Sequence, residues 1–198
     1  VIIWINGAFG AGKSQTAYEL HRRLAGSFVF DPENAGFYIR KQLPMTMLKA
    51  DFQDYPVWRE INYAMLKYIS KEYKGHIIVP MTVVSPAYFL QIIGQLKLDG
   101  LDVRHFTLWA SKPVLLKRLR SRGDGARSWG AAQIDRCMQS LSGELFQKHL
   151  NTDEMTTEQV VQAIAAELDL TLLPDNRSKL QKSFDRIATQ IKQIRLFS

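Results

Sequence analysis

Gly7-Ala8-Phe9-Gly10-Ala11-Gly12-Lys13-Ser14 completes the pattern G-x-x-x-x-G-K-[ST], and it follows directly on the apolar run Val1-Ile2-Ile3-Trp4-Ile5. Glycines at this spacing let successive backbone N–H groups converge on phosphate oxygens, and the positive end of the next helix adds to their field. Lys13 then reaches the β- and γ-phosphates, and the Ser14 hydroxyl is placed to ligate Mg²⁺. Ala17, Leu20 and Leu24 give the following segment an apolar helical stripe, so the strand–loop–helix context is complete. Gly7, Ala8, Phe9, Gly10, Ala11, Gly12, Lys13, Ser14 and Gln15 are therefore the expected cradle for ATP with Mg²⁺.

Further apolar runs recur at Phe28–Phe30, Ile77–Met81, Val103–Trp109 and, more weakly, near His149–Asn151. They are apolar without alternation, as strands covered on both faces are, and helical patterns lie between them. The expected fold is α/β: a three-layer α/β/α P-loop NTPase domain around a mostly parallel five-stranded sheet. Helix starts are marked at Ser85-Pro86, Ser111, Ser128 and the capping box Thr156-x-x-Gln159. The domain is expected over residues 1–173, with a lid near 118–130, followed by a linker and C-terminal helix over 174–198.

The chain has 198 residues, 46% of them hydrophobic, enough for one proper core. Cys137 is its single cysteine, which forbids an internal disulfide and suits a reducing compartment. The first apolar run lacks a basic leader, and no stretch approaches the ~20 apolar residues of a membrane span. A cytoplasmic protein is expected.

Beyond the phosphate loop, Lys112–Arg122 carries Leu115, Leu116 and Leu119 on an inward stripe with Arg118 and Arg122 on a shared face. With Arg127 in the Gly-flanked loop that follows, these arginines read either as a lid over a triphosphate or as a solvated basic face. Asp31, at the end of the second strand, is placed to take a proton from an attacking hydroxyl or to hold Mg²⁺ through water. Asp31-Pro32-Glu33 equally suits a helix cap, an N1 proline and a first-turn acid. The third strand ends Val79-Pro80-Met81-Thr82, without the metal-securing acid of many phosphate-loop enzymes; Thr82 stands in its place. Aromatic residues crowd the region from Phe37 to Tyr73, and Phe37, Arg40, Phe52, Trp58, Asn62 and Thr82 are the candidate binding residues for a ring-bearing acceptor. Any single aromatic there reads as well as core packing.

From Arg177 to Phe197, Leu180, Phe184, Ile187, Ile191 and Ile194 form one helical stripe. Six basic residues against the lone Asp185 place +5 of the net +7 in this segment. It suits an anionic membrane surface, or docking on the protein's own core. Base-reading residues are missing from it, so no nucleic acid is expected as a partner.

The phosphate-loop segment Ile2 to Ala17, with Asp31-Pro32-Glu33, Asp51-Phe52-Gln53, Ile78-Val79-Pro80-Met81-Thr82, His105-Phe106-Thr107-Leu108 and Gln133-Ile134-Asp135-Arg136-Cys137, resembles the bacterial tunicamycin-resistance proteins over nearly the whole chain. The resemblance implies a nucleoside- or shikimate-kinase-like fold, ATP at Gly7 to Ser14, peripheral membrane attachment through the C-terminal helix, and protection against tunicamycin. Tunicamycin carries a uridine-like nucleoside, so the aromatic region would hold it while ATP on Lys13 donates a phosphoryl group. In that scheme Asp31 serves as base, and Arg118, Arg122 and Arg127 neutralise the group in transit. Two alternatives stand beside transfer: ATP-dependent sequestration of the drug, and a metabolic small-molecule kinase of the gluconate or shikimate type.

Overall fold

In the computed structural model the chain is described over residues 1–123 and 128–193, the side chains of residues 179 and 191–193 excepted. The described residues form five parallel strands, β1 (Ile2–Gly7), β2 (Ser27–Val29), β3 (His76–Pro80), β4 (Val103–Trp109) and β5 (His149–Asn151), in the order β2-β3-β1-β4-β5. Each strand lies within a residue or two of the run that predicts it. β1 is central, with Ile2 beside Ile77 of β3 on one edge and Val103 of β4 on the other. Ile2, Ile3, Trp4 and Ile5 are all buried, because helices cover both faces of the sheet.

α1 (Lys13–Arg23) leaves the loop after β1, and α2 (Glu33–Gln42) and α3 (Pro56–Glu72) bridge β2 to β3. Ser85 accepts the Tyr88 amide and opens α4 (Pro86–Phe89), which passes through a π-helical turn at Leu90–Gly94 into α5 (Gln95–Leu98). Past β4 come α6 (Lys112–Arg120), α7 (Trp129–Ala132) and α8 (Ile134–Leu141); past β5, α9 (Thr157–Glu167) begins at the full Thr156–Gln159 capping box. α10 (Lys179–Gln193) packs against α1. No helix of the described residues is long and apolar enough to cross a membrane.

Asn6, the last polar residue before the phosphate loop, is fully buried. Its Oδ1 accepts from the amides of Gly7 (2.8 Å) and Val83 (3.0 Å), and its Nδ2 donates to the Val83 carbonyl at 2.8 Å. These bonds tie the end of β1 to the segment after β3. The same Nδ2 lies 3.2 Å from His105 Nε2, so that ring nitrogen serves as acceptor. His105 Nδ1 then carries the hydrogen and faces the Gln147 carbonyl at 3.3 Å. Phe89 meets the ring edge to face at 4.9 Å between centroids, and Phe146 lies tilted to it at 6.4 Å.

Burial between these aromatics lowers the His105 pKa to about 4; the bond to the Gln147 carbonyl opposes it, and the nearby Lys97 acts with it. The folded protein keeps this imidazole neutral while the unfolded chain takes up its proton below about 6.5, so stability is lost as pH falls from 6.5 toward 4. Urea unfolding followed between pH 7 and 4 is expected to show up to about 3 kcal/mol more acid loss for the wild type than for His105→Gln.

Candidate functional site

The loop between β1 and α1 turns on glycines. Gly10 has φ +86°, and a Cβ there would meet the Leu115 carbonyl at 2.7 Å, so only glycine satisfies both conformation and packing. Gly12, with φ +96° and open space around it, is needed for its backbone alone. The curl brings the Lys13 ammonium 3.1 Å from the carbonyls of both Gly7 and Ala8 and 5.5 Å from the centre of the Phe9 ring. Burial is the main cause that lowers its pKa to about 8; Arg122 acts in the same direction, and Cys137 and Glu33 oppose. Such an ammonium lacks a strong counter-charge, which a polyphosphate supplies.

A cavity of about 510 Å³ opens over this loop, lined by Gly10, Gly12, Lys13, Ser14, Gln15 and Arg122 among others. A second, of about 340 Å³, adjoins it, with Phe37, Arg40, Asp51, Phe52 and Gln53 on its walls. Phe9, Glu33, Thr82 and Trp129 line both. Phe9 and Trp129 meet edge to face at 5.0 Å and form one side of the junction. The Thr82 hydroxyl donates to the Gly7 carbonyl at 2.8 Å, and the Thr82 carbonyl accepts from Gln53 Nε2 at 2.9 Å. The end of β3 is thereby bonded to both chambers.

The residues expected at the site separate into groups. Ser14, Gln15, Lys13 and Arg122 reach the first chamber; Phe37, Arg40 and Phe52 line the second; Thr82 lies in both. Arg40 stacks its guanidinium 5.6 Å from the Phe52 ring centre and donates to the carbonyls of Lys49 and Ala50. Its Nε is buried without a partner among the described residues.

Trp58 and Asn62 are fully buried on α3 and line neither chamber: Trp58 Nε1 donates to the Pro32 carbonyl, and Asn62 Nδ2 to the Trp58 carbonyl. Arg118 lines neither, and Nη1 donates to Thr152 Oγ1 at 3.1 Å. Asp31 Oδ1 accepts the Glu33 amide at 3.0 Å in the turn that leads into α2, while the Glu33 residue lines both chambers. Arg127 lies outside the described residues. Sequence reasoning passed over Trp129 and Gln190 as site residues, though Trp129 directly follows a marked helix start at Ser128. Among the described residues no cluster of His, Cys, Asp and Glu could hold a metal alone, so a Mg²⁺ here needs oxygens from a nucleotide beside Ser14.

Residues 2–143 match the model of a family described as AAA domain. The chain is 42% identical to the solved tunicamycin resistance protein of Deinococcus radiodurans, with 88% of this chain and 98% of that one covered and a TM-score of 0.76. A gluconokinase from Sinorhizobium meliloti 1021 is similar in fold, at 16% identity, 84% and 90% coverage and a TM-score of 0.60. So is a shikimate kinase from Bacteroides thetaiotaomicron, at 21% identity, 86% and 99% coverage and a TM-score of 0.55. No match is found among curated proteins.

Because Lys13 sheds its proton near pH 8 in the empty loop and a triphosphate favours its charged form, nucleotide binding above that pH must restore the proton. Below pH 8 the affinity for ATP is expected to be flat; above it the affinity should fall by up to about tenfold per pH unit. Calorimetric titration with ATP and Mg²⁺ from pH 7 to 9.5 checks this, and Lys13→Met should bind weakly without the break.

Proposed function

The chain belongs to the AAA domain family and to the family of the tunicamycin resistance proteins, and on that premise we propose that it phosphorylates a nucleoside antibiotic of the tunicamycin type at the expense of ATP. The observation that carries this reading is the shared wall. A phosphoryl donor over Lys13 and a ring-bearing acceptor against Phe37 and Phe52 would meet at Phe9, Glu33, Thr82 and Trp129.

Glu33 takes the role that the sequence suggests for Asp31. Its carboxylate accepts the proton of the attacking sugar hydroxyl, and Asp31 Oδ1 holds the Glu33 backbone by accepting its N–H at 3.0 Å. A new bond forms between that hydroxyl oxygen and the γ-phosphorus, the bond from the γ-phosphorus to the bridging oxygen breaks, and ADP departs. Lys13 and Arg122 offset the charge on the group in transit. When bound, Mg²⁺ neutralises the phosphate oxygens, with Ser14 among its ligands. Arg40, on the wall of the second chamber, offers its guanidinium to a carbonyl of the acceptor base.

A second reading draws on the end of β3, where Thr82 spends its hydroxyl on the Gly7 carbonyl and no acid secures the metal. In that reading ATP shapes the site and the drug is held unmodified. Mass spectrometry of tunicamycin incubated with protein, ATP and Mg²⁺ separates the two: transfer adds one phosphate to the drug, and sequestration leaves its mass unchanged. Under the first reading Glu33→Gln lowers turnover by about a hundredfold or more while ATP affinity stays within a factor of a few.

A lipid-tailed substrate also gives a reason for α10. Its apolar residues Leu180, Phe184 and Ile187 are 73%, 70% and 49% exposed, and they form a stripe that suits the interface of an anionic membrane on the cytoplasmic side. The wild type is expected to sediment with vesicles containing phosphatidylglycerol, and Leu180→Glu/Phe184→Glu to stay in the supernatant. Equal sedimentation of the two proteins rules out the stripe as the attachment.

A further inference from the structure

α10 docks on α1 with its polar side. Gln15, Glu19 and Arg22, spaced four and three apart, share one face of α1, and each engages α10 or the linker before it. Gln15 Nε2 donates to the Arg186 carbonyl at 3.0 Å. Arg177 bridges Glu19, Asp175 and Asp185, and Arg22 stands 3.9 Å from Asp185. Lys182 pairs with Asp175 at 2.8 Å and with Glu158 of α9 at 3.2 Å. Further along, Thr189 is buried and Gln190 reaches the wall of the phosphate-loop cavity beside Gly12, Lys13, Ser14 and Gln15.

On that same wall Gln15, itself nine-tenths buried, has spent its amide nitrogen on Arg186, and its Oε1 has no partner among the described residues. A buried acceptor left so costs free energy until a donor arrives. The phosphates carry no such donor under neutral conditions. The nucleoside end of the nucleotide does, in its ribose hydroxyls and, for adenine, its exocyclic amine.

We propose that α10 is a wall of the nucleotide site, on which Gln15 Oε1 and the Gln190 side chain take hydrogen bonds from the nucleoside portion of the bound triphosphate. Nucleotide binding and docking of α10 then stabilise each other, and the coupling is reciprocal by linkage. The inference rests on the ATP-binding reading above and extends it to a helix far from the phosphate loop in sequence.

The test uses the full chain and follows hydrogen exchange of residues 180–190 alongside calorimetric affinity. ATP with Mg²⁺ is expected to slow exchange in α10, whereas inorganic tripolyphosphate, which lacks the nucleoside, leaves it unchanged. Gln190→Ala should weaken ATP binding and blunt the protection. Arg177→Ala, placed outside the nucleotide cavity, should speed α10 exchange and weaken ATP by about fivefold or more, with tripolyphosphate affinity retained as the sign of an intact loop. Protection of α10 that is absent with ATP, or equal with tripolyphosphate, overturns the proposal, as does wild-type ATP affinity in Arg177→Ala. Failure of the wild type to bind ATP at all would instead remove the reading beneath it.

Discussion

The buried amide of Asn6 holds the site together. Its side chain satisfies the Gly7 amide and both backbone groups of Val83, and it fixes the tautomer of His105 on the adjacent strand β4. Neutral partners bonded in a dry interior define one geometry, because any displaced member leaves a donor or acceptor without water. The loop that follows needs such an anchor. Its curl depends on left-handed glycine conformations, and its start must be fixed for the Lys13 ammonium to stand where a phosphate arrives.

From that anchor the two chambers follow. Thr82, two residues past β3, bonds to Gly7 on one side and receives Gln53 on the other, so the chain leaving the third strand lines both chambers. Phe9 projects from the phosphate loop itself and meets Trp129 from α7. The junction between the chambers is thus half aromatic, from Phe9 and Trp129, and half polar, from Glu33 and Thr82.

Much of this was legible in the residues. The eight-residue loop, the runs of apolar residues and the marked helix starts locate the strands and helices along the chain, since each rests on local geometry; the order of the strands within the sheet does not. The acid at the junction was not, because Asp31 and Glu33 are two residues apart and only the turn decides which of the two residues lines the cavity. Trp58 and Asn62 illustrate the same limit: on α3 they lie on the inward face, and helical periodicity does not distinguish a core wall from a ligand wall. Gln190 lay hidden for a different reason. The stripe in α10 is plain in the sequence, and a stripe ordinarily faces the core, yet here the polar side is docked and Leu180 and Phe184 point outward.

That inverted docking divides the molecule into two kinds of cohesion. The sheet and its covering helices are held by apolar burial, on which simple salt has little effect, whereas α10 is clasped by ion pairs of Arg177 and Lys182, whose partners run from the partly exposed Asp185 and Glu158 to the buried side chain of Asp175. Mobile ions screen such pairs over about 8–10 Å at ordinary ionic strength and weaken them further as it rises. Ionic strength therefore acts as a selective solvent for one helix, loosening the C-terminal clasp while the nucleotide-binding body beneath it keeps its shape.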